Sequence, residues 1–148
     1  MTDRLLLDTH IALWLDSGDE RLRPATREFI DACWRDGGTV LFSAVSAWEI
    51  ALLVDRERID LDLPVEAWVE RFLARPGLEA LSLSHATAAR AYQIQHLEIR
   101  DPADRLLIAT AIDAAASLVT YDERIANFGR RYGRRYRFAV NAGSVASR

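Results

Sequence analysis

The sequence predicts an α/β fold in which a short, mostly parallel central sheet is flanked by helices on both faces. Short apolar runs alternate with longer helical patterns along the chain, which is typical of parallel strands joined by crossover helices. The runs are almost continuously apolar, as expected for strands that are covered on both sides. Because 148 residues fit one domain, we expect a single three-layer α/β/α unit over residues 1–148.

Five segments have the short apolar or alternating pattern of strands. They are residues 4–7 (RLLL), 39–42 (TVLF), 78–83 (LEALSL), 117–120 (SLVT) and 137–140 (RFAV), the last predicted as an edge strand. Helix signals lie between them. The predicted helices are the apolar run 11–15, a segment from Pro24 through Trp34 that Gly37 stops, one capped by Ser43, one from Pro64 through Phe72 until Pro76, one from Ser84 towards Gln95, and one opened by Asp101 and Pro102.

The composition excludes several classes of protein. All 19 basic residues are arginine, so the chain has neither the lysine of a phosphate-binding P-loop nor that of a Schiff-base enzyme. A single cysteine, Cys33, excludes an internal disulfide and cysteine-rich zinc sites. No signal peptide or apolar run of about 20 residues is present, so we expect a cytoplasmic protein without membrane contact. The net charge of −3 gives no global attraction for nucleic acid.

Four acidic residues follow predicted strands or open the helices after them. They are Asp8, Glu49, Asp104 and Asp122. The carboxyl ends of parallel strands form one edge of a sheet, where ligands bind, so these side chains are expected to converge. Converging carboxylates repel one another, and a divalent cation removes that repulsion. Because no cysteine or histidine pair is available, oxygen-only ligation favours Mg²⁺ or Mn²⁺.

Each of these acids also has an interpretation as a helix cap or a helix-dipole residue. The capping alternatives are Asp8 as an N-cap, Ser46 with Glu49 as a capping box, Asp101 as the N-cap beside Asp104, and Thr120 with Glu123 as a capping box that leaves Asp122 near the helix dipole. Capping accounts for any one acid but not for four at one edge. Asp104 also shares a helix face with Ile108 and Ala111, which predicts an inward position.

Four motifs, in order, resemble those of the PIN-domain family, specifically the VapC-like toxin endoribonucleases of type II toxin–antitoxin pairs. They are LLLDTHIALWL, SAVSAWEIALL, RDPADRLLIATA and LVTYDERIANFG. The resemblance implies a PIN-like domain in which Asp8, Glu49, Asp104 and Asp122 hold Mg²⁺, or Mn²⁺, and hydrolyse RNA phosphodiesters. Asp101 is expected to act as a cap or to support the site from outside the ligand set. Thr9 and Thr120 are expected to donate hydrogen bonds to the acids.

The same resemblance implies a cognate antitoxin as partner, RNA as substrate, and a homodimer or toxin–antitoxin hetero-oligomer. The antitoxin would lay a C-terminal peptide along the groove and insert an arginine among the acids. Two alternatives stay open. One is a DNA-directed nuclease of the same superfamily, disfavoured because the chain has no long helical-arch insertion. The other is a catalytically idle PIN-like binding module whose acidic pocket only accepts a partner's arginine.

Two further groups of residues are notable. The stretch 130–137 contains five arginines and two tyrosines, and it predicts an RNA-backbone contact, a solvated tail or a clasp on another subunit. The arginines are Arg130, Arg131, Arg134, Arg135 and Arg137, and the tyrosines are Tyr132 and Tyr136. The four tryptophans, Trp14, Trp34, Trp48 and Trp68, all lie in predicted helices, which favours core or dimer-interface positions over base stacking.

Overall fold

The computed structural model describes residues 3–141, and they form a five-stranded sheet in which every neighbouring pair of strands is parallel. The strands are β1 (Arg4–Leu7), β2 (Thr39–Ser43), β3 (Leu78–Leu81), β4 (Ser117–Val119) and β5 (Ala139–Asn141). Their order across the sheet is β3-β2-β1-β4-β5, so β1 is central and β5 is an edge strand. The predicted α/β class with a parallel sheet is confirmed.

Seven helices connect and cover the strands in the described part of the chain. They are α1 (Thr9–Ser17), α2 (Pro24–Arg35), α3 (Ala44–Asp55), α4 (Val65–Leu73), α5 (His85–Arg90), α6 (Pro102–Ala114) and α7 (Glu123–Tyr136). The side chains of β1 alternate between two cores. Leu5 and Leu7 pack with residues of α1, α2 and α4, whereas Leu6 packs with residues of α6 and α7. The domain therefore has the three layers that the sequence predicted.

Three elements in the second half of the chain have boundaries that differ from the prediction. The strand predicted at 78–83 ends at residue 81, and the helix predicted towards Gln95 ends at Arg90. Residues 91–100 instead form turns, held in part by hydrogen bonds to the buried Arg105. The last strand spans 139–141 rather than 137–140, because α7 continues to residue 136 and Arg137 closes it with a φ of 52°. The domain boundary at residue 148 lies outside the described residues and stays a prediction.

The register of the sheet sets the positions of the loops that follow β1 and β4. Leu7 is opposite Val119 in the register of the two strands. Asp8 and Thr120, which directly follow β1 and β4, therefore lie side by side. The backbone N–H of Asp8 donates to the carbonyl of Val119 at 3.0 Å, which continues the parallel ladder by one residue. None of the helices within residues 3–141 has the length and apolar composition needed to cross a bilayer.

Candidate active site at the carboxyl edge of the sheet

Asp8 is both a helix cap and a member of the acidic cluster. Its side chain accepts a hydrogen bond from the backbone N–H of Thr9 at 2.7 Å, at the start of α1. The other carboxylate oxygen accepts the hydroxyl of Thr120 at 2.6 Å. That hydroxyl also accepts the backbone N–H of Asp122 at 3.0 Å, and Thr120 is fully buried. Thr120 therefore connects the residue after β1 to the loop after β4, as expected for a supporting donor.

Glu49 faces α1 from the second turn of α3. The N-cap of α3 is Ser43, whose hydroxyl accepts from the backbone N–H of Val45 at 3.0 Å. A capping box between Ser46 and Glu49 is therefore not formed. The carboxylate of Glu49 instead accepts the buried hydroxyl of Thr9, which also lies 3.0 Å from the Ser46 hydroxyl. Thr9 thus lies between Asp8, its neighbour in sequence, and Glu49.

Asp104 is buried in the first turn of α6, with 8% of its surface exposed. Asp101 caps this helix by accepting the backbone N–H groups of Ala103 at 2.9 Å and Asp104 at 3.4 Å. The capping role predicted for Asp101 is confirmed, and Asp104 points inward as predicted. Its Oδ2 accepts a hydrogen bond from Nη2 of Arg124 at 3.1 Å.

Asp122 is the N-cap of α7, so the alternative interpretation, a Thr120–Glu123 capping box, is not formed. Its Oδ1 accepts the backbone N–H of Arg124 at 2.8 Å and that of Ile125 at 3.3 Å. The guanidinium of Arg124 also contacts Asp122, with Nη2 at 2.9 Å from Oδ2. Arg124 therefore lies between two acids that come from different helices. Arg124 has no local sequence signal for this role beyond its place two residues after Asp122.

The pKa of Asp104 shows that the acids share one electrostatic environment. Burial is the largest cause that raises this pKa, and it lies at about 7 instead of 3.8. The negative charges of Asp101, Asp8, Asp122 and Glu49 raise it further, in that order. Asp8, Glu49 and Asp122, which come from separate parts of the sequence, therefore act on this carboxylate together with the nearby Asp101. This is the convergence that the strand-end positions predicted.

The other three acids differ in how their charges are compensated. Burial raises the pKa of Asp8 and of Glu49, and hydrogen bonds from the threonine hydroxyls offset only part of that increase. Burial also acts to raise the pKa of Asp122. Hydrogen bonds from the Arg124 side chain and from the amides of Ile125 and Arg124 outweigh burial, so the pKa of Asp122 is lowered. Of these three acids, only Asp122 therefore has a pKa below its ordinary value.

The acidic cluster suits a hard divalent cation, both because of the type of donor atoms and because of its negative charge. Every donor is a carboxylate oxygen, which Mg²⁺ and Mn²⁺ prefer. A cation would also relieve the repulsion that raises the pKa of Asp104. Within residues 3–141, no three His, Cys, Asp or Glu side chains are arranged so that they could hold a metal ion as they stand. Ligation therefore requires Asp104 to turn away from Arg124 and toward the other acids.

A cavity of about 310 Å³ opens beside Asp8. Its lining consists of Asp8, His10, Ile11, Trp14, Arg21 and Tyr121. The rings of Trp14 and Tyr121 lie 5.9 Å apart, and the guanidinium of Arg21 lies over the Trp14 ring. Trp14 is thus near the acids rather than deep in the core. Trp68 is buried as predicted, whereas Trp48 is 53% exposed.

The basic stretch 130–137 lies mostly on the second half of α7 rather than in a tail. Arg130 pairs with Glu123 at 3.4 Å and donates to Asn127 at 2.6 Å. The Tyr136 hydroxyl donates to the carbonyl of Gln95 at 2.8 Å, so this face of the helix packs on the 91–100 segment. The arginines are therefore displayed from a rigid helix.

Comparison with known proteins identifies relatives of the whole domain. The PIN domain family model matches residues 5–131. The chain is 33% identical over 121 residues to Ribonuclease VapC22 of Mycobacterium tuberculosis, which covers 82% of this chain and 88% of that protein. Two solved structures share the fold. VapBC2 from Rickettsia felis, bound to a promoter DNA fragment, has a TM-score of 0.66 at 17% identity over 93% of this chain and 97% of the other. FitAcB from Neisseria gonorrhoeae has a TM-score of 0.52 at 23% identity over 92% and 95%.

Proposed function

The chain belongs to the PIN domain family, and from this premise we propose that it is a Mg²⁺-dependent endoribonuclease acting as the toxin of a type II toxin–antitoxin pair. The observation that carries the proposal is the pKa of Asp104, raised to about 7 by burial and by four other acids. Negative charge gathered at one sheet edge favours the binding of a cation there. The relative named a ribonuclease aligns over most of this chain and supports RNA as the substrate.

Asp8 and Asp104 would be the main ligands of the ion, and Glu49 and Asp122 would complete the site directly or through water. When bound, Mg²⁺, or Mn²⁺ in its place, supplies a polarised phosphate and a water of lowered pKa. The protein's own contribution is orientation. Thr120 fixes one oxygen of Asp8, and Thr9 fixes Glu49, so both carboxylates keep their rotamers. Single-stranded or loop RNA suits the site because its phosphates can reach recessed acids.

An antitoxin is the proposed protein partner, and a homodimer or toxin–antitoxin hetero-oligomer is the proposed assembly, in the cytoplasm. The contact between Arg124 and two of the acids supports this idea, since it demonstrates that a guanidinium fits among them. An antitoxin arginine would use the same chemistry. The structures that share this fold include VapBC2 bound to a promoter DNA fragment and FitAcB, and this likeness supports a protein partner.

A catalytically idle binding module is the second candidate. Two observations favour it: Arg124 already pairs with Asp104 and Asp122, and no three metal-binding side chains within residues 3–141 are arranged to hold an ion. In that case the acids would serve only to receive a cationic side chain from a partner.

Cleavage of a structured RNA with Mg²⁺, with and without EDTA, tests the proposal. We expect Mg²⁺-dependent internal cuts by the wild type and none by Asp8→Asn, with Asp31→Asn on α2 as the matched control. Equal cleavage by wild type and Asp8→Asn would mean that the activity comes from elsewhere. A thermal melt adds a second measurement, since ligation raises the midpoint by mass action. Neither cleavage nor a Mg²⁺-induced shift would favour the idle module.

A further inference from the structure

A second cavity, of about 710 Å³, lies between the segment 96–100 and one face of α7. Its charged and polar lining includes His96, Glu98, Arg100, Arg124, Asn127 and Arg131. Three guanidinium groups thus line it, against one carboxylate. In a chain with a net charge of −3, this is a local excess of positive charge.

Two of the three arginines have no acidic partner. Among residues 3–141, Arg100 and Arg131 take part in none of the ion pairs, and both are exposed. The guanidinium of Arg131 lies 5.5 Å from the centre of the Tyr132 ring. Arg130, Arg134 and Arg135 do not line the cavity, although they belong to the same basic stretch. Unpaired guanidinium groups that line one cavity are suited to bind phosphate oxygens.

The cavity adjoins the acidic cluster. Arg124 lines the cavity and also contacts Asp104 and Asp122, and Arg100 directly precedes Asp101, the cap of α6. A polyanionic strand held in the cavity would therefore extend toward the carboxylates. Without such a positive surface, the acids would repel a phosphodiester chain.

The walls of the cavity are held in place before any ligand arrives. The buried Arg105 donates to the carbonyls of Leu97 at 3.1 Å and Ile99 at 2.8 Å, which fixes the segment that carries Arg100. The two walls are joined where the rings of His96 and Tyr132 stack, with centres 4.7 Å apart and planes within 6°. A preformed site loses little conformational entropy when it binds.

We propose that this cavity is a phosphate-binding groove in which Arg100 and Arg131 hold the backbone of single-stranded RNA beside the acidic site. The inference rests on the proposed function for its substrate class. Carboxylates would satisfy the same guanidinium groups, so an acidic peptide is the competing occupant. Continuity with a site that acts on phosphodiesters favours RNA.

The test measures binding of a fluorescent single-stranded oligoribonucleotide in EDTA, over a range of NaCl concentrations. Each lost phosphate contact lowers the salt slope by roughly 0.7 for single strands. We therefore expect Arg100→Ala/Arg131→Ala to lower the slope by roughly 1.4 and to weaken binding about tenfold or more at low salt. The matched control, Arg4→Ala/Arg56→Ala, removes two arginines without ion pairs, from the start of β1 and the end of α3, and should bind like the wild type.

A charge-conserving variant separates groove binding from damage to the fold. Arg100→Lys/Arg131→Lys should keep most of the salt slope, because each lysine still neutralises one phosphate. Equal affinity and slope for the alanine double variant and its control would overturn the proposal. Poly-glutamate serves as the probe for an acidic peptide. If the alanine double variant lost poly-glutamate binding but bound RNA like the wild type, the proposal would also be overturned. Because cleavage plays no part in this assay, a wild type that binds RNA but never cuts it would refute the proposed function and leave the groove intact.

Discussion

The Nη2 of Arg124 lies 3.1 Å from the Oδ2 of Asp104, joining the first turn of α7 to the first turn of α6. The arginine side chain is 61% exposed, whereas that of the aspartate is 12% exposed. A solvated cation therefore reaches into a buried acid and supplies positive charge where the acids converge. The guanidinium is an internal counter-charge that a divalent ion would have to replace at Asp104.

Arg124→Ala is expected to lower the stability of the metal-free protein and to enlarge the stabilisation that Mg²⁺ provides. In EDTA the midpoint of thermal unfolding should fall by a few degrees, because Asp104 and Asp122 lose their counter-charge. A change of 1 kcal/mol in the free energy of unfolding corresponds to about 2–8 °C in domains of this size class. With Mg²⁺ the stabilising shift should exceed that of the wild type, since no guanidinium has to be displaced. Arg130→Ala, on the same helix but paired with Glu123, is the control. If Mg²⁺ shifted the unfolding midpoint equally in Arg124→Ala and Arg130→Ala, this prediction would be contradicted.

Asp104 should make the metal-free protein less stable as the pH rises from about 4 to about 7. Its pKa is raised from 3.8 to about 7 in the folded state, so the folded protein holds this proton more tightly than the unfolded chain. The stabilisation is complete below pH 4 and is lost as the pH rises through 7. Asp104→Asn stays neutral, so its free energy of unfolding should exceed that of the wild type by on the order of 2 kcal/mol at pH 8, and by much less at pH 4. Urea titrations in EDTA at both pH values measure the difference, and an equal difference at both would exclude the effect.

Much of the fold was predictable because its signals are local. Strands such as RLLL are apolar runs bounded by polar residues, and the acids that follow them are placed by strand direction alone. The contact of Arg124 with Asp104 was not predictable, because a guanidinium on a solvated helix end meets this partner only when α6 and α7 pack together. The turns at 91–100 were not predictable either, because they too depend on a tertiary contact. They are held by Arg105, a residue that the sequence assigns only to an apolar helix.

Thr120→Val should weaken both the fold and the acidic site. The fully buried hydroxyl donates to Oδ2 of Asp8 at 2.6 Å and accepts from the Asp122 amide at 3.0 Å, so its removal takes this partner from both groups and leaves Asp8 only the Thr9 amide. We expect a loss of about 1–3 kcal/mol in the free energy of unfolding. Weaker Mg²⁺ binding should accompany it, because Asp8 would no longer be held in one orientation. Denaturant unfolding and Mg²⁺ titration measure the two effects.

Thr110→Val provides the matched comparison for that change. Thr110 is also buried, but its hydroxyl donates at 2.7 Å to the carbonyl of Leu106 within α6, away from the acids. The substitution should leave Mg²⁺ binding unchanged and cost less stability, since that carbonyl keeps its place in the helix. Equal loss of Mg²⁺ affinity in the two valine variants would show that Thr120 has no special role at the site.

Arg105→Met should be the most destabilising of these substitutions, and it should also weaken RNA binding in the groove. Methionine keeps the apolar stem but removes the donors to the carbonyls of Ala91, Leu97 and Ile99, which lie 2.8–3.1 Å from the guanidinium. Three buried acceptors without partners should cost about 3 kcal/mol or more in the free energy of unfolding. Arg90→Met, which removes an exposed ion pair with Asp113, should cost less than about 1 kcal/mol. Urea unfolding and the EDTA binding assay measure both effects. If Arg105→Met bound RNA like Arg90→Met, the turns would not depend on this arginine for their position beside the acids.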